Sequence, residues 1–595
     1  MKKFLLIIVL CLTFSGPAHA LTQAPVDVRY ADIQTLTGLM EAGILTSEQL
    51  VKIYLERIEA YNPEFNAVNF INENAVNEAI ALDMLRRDGK SKGVLHGIPI
   101  LVKNNIDIAG IPTTAGAKAL DRNMPLNDAE VIKRLKDAGA VILGTANMSE
   151  FAFLLRDSNS SFGRVKNAYD PGYTSYGSSG GSATGIALSF AAASLGTDSN
   201  SSIRVPAGGA NLVGFRPSFG LISLRGVLPY DTTRDTVGPM TKTVRDSAII
   251  MSVLSGNNYA MNTYARDLKG KTVGVAAGFE LYPPVADLIR DKIGQMERAG
   301  AAIVYLDNFV PDPYIWIAHE TNGRFTMCDA FNDYLLGTTG PIRSFTELAG
   351  ASGKIMDLSE RLSYFNLSGE FYSDYMQKRK AEYEEYVAGV FDAHGLDAVA
   401  LPTTNHKVFE LVNRTETVSP GSTIASAIGY PAVSVPLGFD SDGLSYGLEF
   451  MAKKNNEGVL FEVIAGYEAI DPTIRISSHG PSLYEVSAEA GLLVENHRYL
   501  VSMKTPNVQV RKLIYENIEY FLNYSDNENR VTDAEVLNQK YEEIDIYAED
   551  AILDTIGDFL ENGNNKAGIF IKILLIIAGV GAAGFILLRL IVRFR

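Results

Sequence analysis

The residues best suited to chemistry lie in two serine-rich, glycine-flanked turns. The first reads Gly177-Ser-Ser-Gly-Gly-Ser182, the second Gly196-Thr-Asp-Ser-Asn-Ser-Ser-Ile-Arg-Val-Pro-Ala207. Glycine lets main-chain N–H groups approach a ligand closely. A serine hydroxyl supplies a nucleophile or a proton relay, but it needs a base before it attacks a carbonyl. Lys103 ends the apolar run Leu95-His-Gly-Ile-Pro-Ile-Leu-Val-Lys103, which reads as a buried strand. Burying an ammonium is costly and lowers its pKa, and a neutral lysine is a competent general base near pH 7. Lys103, Ser178 and Ser202 therefore fit together as a lysine–serine hydrolase, which needs no histidine. Taken singly, each is more commonly a strand-end lysine or a turn serine.

Other chemistries lose support. There is no His-Glu-x-x-His and no Cys-x-x-Cys, and the only cysteines are Cys11 and Cys328, so a zinc site or a structural disulfide is not expected. No Gly-x-x-x-x-Gly-Lys-Ser/Thr phosphate loop occurs. Gly177–Gly181 matches Gly-x-Ser-x-Gly with Ser179 in the middle, but a nucleophile elbow must follow a strand, and Asp170–Tyr176 is rich in turn residues. His394 and His406 have no partner that the sequence identifies. A net charge of −16 argues against a nucleic-acid surface.

Positioning those turns requires a large scaffold. Thr46 is a helix N-cap before apolar residues at helical spacing, and a second helix is expected over Glu73–Arg87. Strands are expected at Leu95–Lys103, Ala140–Gly144, Lys271–Ala276, Ala302–Leu306, Ala398–Leu401 and Ala432–Pro436. Helices are expected at Glu130–Asp137, along the alanine-rich Gly180–Leu195, and as a pair over Glu360–Phe391. Helix–strand alternation of this kind indicates an α/β core.

Both ends carry membrane signals. Met1-Lys2-Lys3, the apolar Phe4–Phe14 and Ala18-His-Ala20 form a secretory signal peptide over 1–20. Ile573–Leu588 is uncharged, and Ala567–Val592 is long enough to cross a hydrocarbon core of about 30 Å. Arg589, Arg593 and Arg595 would remain cytoplasmic if the body is exported. The expected division is a signal peptide at 1–20, a catalytic domain at 21–493, an acidic helical stalk at 494–565, and a transmembrane helix with a basic tail at 566–595. Within the stalk, Tyr524–Glu535 spaces like a degenerate EF-hand loop, but Tyr524 stands where a carboxylate is expected and Asn529 where glycine is. An acidic stalk is the simpler reading. Gly579/Ala583 and Ala578/Ala582 give two such helices a packing face and leave a homodimer open.

From about Ala31 to Glu489 the chain resembles the amidase signature family. The resemblance rests on Leu95–Gly110, Gly177–Ser182, Gly196-Thr-Asp198 and Ser202–Ala207. It continues through Gly214-Phe-Arg-Pro217, Asp235-Thr-Val-Gly-Pro239, Leu401-Pro-Thr-Thr404 and Ala427–Gly438. It implies one large mixed twisted sheet covered by helices, with no metal or organic cofactor. It also implies that Lys103 is the general base, Ser178 a bridging serine on a cis peptide bond, and Ser202 the nucleophile. Main-chain N–H groups of Ser199, Asn200, Ser201 and Ser202 would face the oxyanion. The sequence departs from the family in two places. Asn200-Ser201 replaces two glycines, and Lys103-Asn104-Asn105 replaces the usual Lys-Asp-Asn.

The expected protein is an exported, membrane-anchored hydrolase of carbon–nitrogen bonds in small, lipid or peptide amides, acting in the periplasm or outside the cell. A non-catalytic amidase-like binding protein, or an esterase using the same site, are the alternatives. Trp316, Phe325, Phe331, Tyr334, Phe365, Phe371 and Tyr372 suit either an acyl pocket or, more simply, the core of a helical subdomain.

Overall fold

The computed structural model describes residues 28–307, 309, 323–359, 362, 369–411, 423–471, 477–480, 491–495 and 498–502. These fall into two units. The smaller contains Gly38–Ile44 and, beyond Tyr484, a hairpin of Gly491–Glu495 with Arg498–Ser502. The larger covers Val28–Thr37 and Leu45–Leu483 and carries the features that follow.

Eleven strands of the larger unit form one sheet. In chain order they are β1 (Val68–Ile71), β2 (Pro99–Lys103), β3 (Val141–Ala146), β4 (Ala193–Thr197), β5 (Val213–Arg216) and β6 (Val237–Thr241). After these come β7 (Thr272–Ala276), β8 (Ala302–Leu306), β9 (Ala398–Pro402), β10 (Ala432–Phe439) and β11 (Ser445–Met451). Across the sheet the order is β1-β3-β2-β4-β6-β5-β10-β11-β9-β7-β8. Pairing is parallel from β3 through β2 to β4 and from β9 through β7 to β8, and antiparallel elsewhere. Every residue of β2, β3, β4, β5, β6 and β11 is buried. Burial on both faces explains why these strands lack polar–apolar alternation.

Helices cover the sheet. Thr46 caps α1 (Ser47–Phe65) through a reciprocal box with Gln49, and α2 (Ala75–Arg87) packs on α1 and β3. Glu130–Asp137 forms α3 as expected. Thr243 caps α6 (Val244–Ser255), which lies on β5 and β6, after α4 (Gly180–Ala187) and α5 (Arg204–Gly209).

One element differs from expectation. Gly180–Leu195 is not one helix. Helix α4 stops at Ala187, Ser189 turns left-handed at φ 56°, and Ala193–Thr197 joins the sheet as β4. Its residues are small enough to run as a strand between two buried faces. Within Glu360–Phe391, Leu362 is helical, its N–H donating to the Leu358 carbonyl at 3.1 Å, and Gly369–His394 forms the long helix α7. The boundary expected at 493/494 falls inside the strand Gly491–Glu495. Residues 1–20, 524–535 and 566–595 lie outside the described residues. Among the described residues, no helix is long and apolar enough to cross a membrane.

Candidate active site

The parallel pairing of β2 with β4 places Lys103 and Thr197 at neighbouring strand ends. Lys103 has no solvent exposure. Its Nζ lies 2.7 Å from Ser178 Oγ, 2.8 Å from Thr197 Oγ1 and 3.3 Å from the Thr197 carbonyl oxygen. Burial pushes its pKa down to about 7, while Asp198 and Asp235 pull the other way. The three contacts suit either protonation state. A neutral amine donates to both Thr197 oxygens and accepts from the Ser178 hydroxyl, whereas an ammonium donates to all three.

Ser178 follows a cis peptide bond from Gly177. Its carbonyl accepts from Ser149 N–H at 3.0 Å, so the turn is held from the loop after β3. Gly181, at the start of α4, has no room for a side chain. A Cβ there would lie 2.2 Å from the Asn147 carbonyl oxygen and 2.4 Å from that of Ala67. Ser179, the elbow-like serine, is fully buried and donates to the Thr197 carbonyl. Its N–H donates to the Ser202 carbonyl at 3.2 Å, which ties the two serine turns together.

Asp198 organises the second turn. Its carboxylate accepts Ser201 N–H at 2.8 Å and Ile203 N–H at 3.2 Å. Arg204 Nε and Arg216 Nη1 reach it at 3.1 and 3.0 Å, with none of the three side chains exposed. Burial alone would raise its pKa, but the two guanidiniums overcome this and hold it well below the ordinary carboxylate range. Arg204 also pairs with Glu449 on β11 and donates to Ser426 Oγ at 2.7 Å. The α5 helix that begins two residues after Ser202 is therefore bolted to the far half of the sheet.

Both departures in sequence have local explanations. Ser201 takes the left-handed conformation, φ 79°, where glycine is usual, and its hydroxyl accepts from Arg204 Nη2 at 3.2 Å. Asn104 donates to the Pro112 carbonyl and Thr145 Oγ1, and its Oδ1 accepts from Thr114. A carboxylate at this position would make neither donation. Of the four amides expected to face an oxyanion, that of Ser201 is already committed to Asp198. Among the described residues, no acceptor takes the N–H of Ser199, Asn200 or Ser202. Among the same residues, no group of Asp, Glu, His or Cys is placed to hold a metal ion.

A family model described as Amidase matches residues 49–461. The chain belongs to the amidase signature family. It is similar to the A subunit of glutamyl-tRNA(Gln) amidotransferase from Gloeobacter violaceus, at 31% identity over 73% of this chain and 96% of the relative. The corresponding subunit from Chlorobium phaeobacteroides is 29% identical over 73% and 98%. Among solved structures, native peptide amidase from Stenotrophomonas maltophilia superposes with a TM-score of 0.69 at 29% identity, over 77% of this chain and all of that one. Membership makes the chain a hydrolase-family protein acting on carbon–nitrogen bonds, with the mixed-sheet α/β fold described above.

The amidase site also contains residues to which the sequence reading assigned no role. Asp198, Arg216 and Asp235 lie in the quoted motifs, which was the available signal. Thr197 lies between two of that motif's named residues. Glu449 lies in none of them. Of the aromatic residues considered for a pocket, Phe331 packs in a core cluster with Met148, Phe151 and Leu348. Tyr334 packs against that cluster and donates to Asp107 at 2.6 Å. Trp316 and Phe365 lie outside the described residues.

Proposed function

We propose that this chain hydrolyses linear amides through an acyl-Ser202 intermediate, with Lys103 as base and Ser178 as proton bridge. The observation that carries the proposal is a fully buried lysine 2.7 Å from Ser178, with its pKa brought down to about 7. Neutral Lys103 draws the Ser178 proton as Ser178 takes the proton of Ser202. Ser202 Oγ then attacks the carbonyl carbon. The tetrahedral oxyanion is received by the N–H groups of Ser199, Asn200 and Ser202. A preorganised donor of this kind is worth roughly 10²–10³ in rate. The relay returns the proton to the leaving nitrogen, which departs as ammonia or an amine. Water then attacks the acyl group by the same route and regenerates Ser202.

The likeness to peptide amidase favours a peptide amide as the substrate. The basic, apolar leader over 1–20 and the uncharged Ile573–Leu588 support an exported, membrane-anchored enzyme, apart from the tRNA that its amidotransferase relatives are named for. The test is covalent labelling with a fluorophosphonate probe. Labelling of the wild-type chain that disappears in Ser202→Ala and falls steeply in Lys103→Met is expected. Labelling that survives in Ser202→Ala overturns the assignment of the nucleophile.

A further inference from the structure

The geometry points to Asp235 as a positioning residue that holds the first donor of the oxyanion turn in place through the Ser199 hydroxyl. This rests on the reading of Ser202 as nucleophile. The motif Asp235-Thr-Val-Gly-Pro239 has no part in the relay itself, yet its first residue faces the turn that carries Ser202.

The β4–β6 ladder ends at Thr197 opposite Val237. One residue further, Asp198 and Thr236 still exchange both main-chain bonds, at 2.9 and 3.2 Å. Beyond that the chain leaves the sheet, and the Ser199 hydroxyl donates to Asp235 Oδ1. Asp235 is itself fixed, because its Oδ2 accepts the N–H groups of Tyr230 and Asp231 at 2.8 and 2.9 Å. The turn is thus pinned at two points, Ser201 by Asp198 and Ser199 by Asp235. With Ser201 N–H already bonded, the free amides begin at Ser199, so any drift there displaces a donor directly.

The two pins respond differently to protons. Asp198 is clamped by two guanidiniums and stays ionised. Among the described residues, no cation lies within 4.0 Å of Asp235. The charged groups that act on it are Asp231, whose Oδ2 lies 3.9 Å from Arg234 Nε, together with the more distant Lys103 and Arg216. Burial, reinforced by Asp231, pushes the Asp235 carboxyl up to about 7. All three hydrogen bonds to Asp235 are donated to its carboxylate, so a proton on Oδ1 turns the Ser199 hydroxyl from donor to acceptor and replaces charge-assisted bonds with weaker neutral ones. The acid form therefore loosens the pin, and the tight form is lost as pH falls through about 7.

The experiment is the pH dependence of the fluorophosphonate labelling rate in the full chain. With Lys103 needed neutral and Asp235 contributing only when ionised, the wild-type rate falls ~100-fold over the first pH unit of the acid limb, until the contribution of Asp235 is exhausted, rather than the ~10-fold of a single ionisation. Asp235→Asn reverts to the ~10-fold limb, with a plateau lowered by roughly 10–100-fold. Ser199→Ala keeps the amide but cuts the tether, and it also gives the ~10-fold limb. A wild-type limb of ~10-fold, or a ~100-fold limb that persists in both variants, overturns the role of Asp235. If labelling also survives in Ser202→Ala, the nucleophile assignment fails and this inference falls with it. Loss of label in Ser202→Ala with unchanged limbs rejects Asp235 alone.

Discussion

Replacing Lys103 with methionine should make the protein more stable while abolishing its activity. The reason is the cost of keeping an amine in a site with no solvent exposure. Its pKa falls from an ordinary 10.5 to about 7 on folding. At 1.36 kcal/mol per pKa unit, that difference corresponds to roughly 5 kcal/mol of folding free energy. The sign follows from proton binding. Between pH 7 and 10.5 the unfolded chain holds a proton that the folded chain does not, so wild-type stability rises with pH across that window. Below about 7 both states are protonated and the penalty is present in full. Methionine has similar volume and no charge, so it removes the penalty at every pH. Against this, Ser178 Oγ and the Thr197 carbonyl lose a partner, which costs about 1–3 kcal/mol. Thr197 Oγ1 keeps its contact with Asn105 Nδ2 at 3.1 Å. Lys103→Met should therefore be more stable than wild type by about 2–4 kcal/mol at pH 6. The advantage should shrink by about 1.4 kcal/mol per pH unit above 7 and vanish before pH 10. Urea unfolding of both chains at pH 6, 8 and 10 measures this difference. A variant less stable at pH 6, or a difference that does not change with pH, would refute the account of Lys103 as a desolvated amine.

Three further perturbations separate the parts of the site. Asp198→Asn leaves Arg216 buried without its carboxylate and weakens the hold on Ser201. It should cost about 3–5 kcal/mol in denaturant unfolding and suppress probe labelling. Ser201→Gly relieves a left-handed serine worth about 1–2 kcal/mol and gives up one hydrogen bond from Arg204 worth about 1 kcal/mol. Its unfolding midpoint should stay near wild type with labelling retained, and a large loss of either would show that the Ser201 hydroxyl matters more than its backbone shape. Gly181→Ala drives a methyl into two main-chain carbonyls, which cannot step aside, so soluble yield and melting temperature should drop sharply.

The candidate site was more legible in the sequence than the frame that holds it. Lys103, Ser178 and Ser202 stood out because a lysine closing an apolar run, beside two glycine-flanked serine turns, is a chemically specific combination. Strands such as Ala302–Leu306 were legible from continuous β-branched and apolar runs. By contrast, β4, β5 and β6 contain glycine, and β6 also holds Pro239 opposite Leu195. Local propensity argues against strands there. They form because both faces are buried, and because glycine permits close backbone approach, as where a Cβ on Gly238 would lie 1.9 Å from the Phe215 carbonyl oxygen. Glu449 was invisible for another reason. Its partner, Arg204, is 245 residues away, and nothing local marks a strand glutamate as one that is wholly buried.

The sheet order has a consequence for how the chain is made. Strands β10 and β11, the last two of this sheet to leave the ribosome, occupy its middle, between β5 and β9. Until residues 432–451 emerge, β5 and β9 each present a bare edge, open to pairing with other chains. Over the same interval Arg204 lacks Glu449, so the helix behind Ser202 is without its anchor in β11. The β10–β11 hairpin thus closes the sheet and completes the support of the second serine turn in one event. A nascent or truncated chain ending before residue 432 would carry both serine turns, be prone to aggregate, and have an unfinished reaction centre.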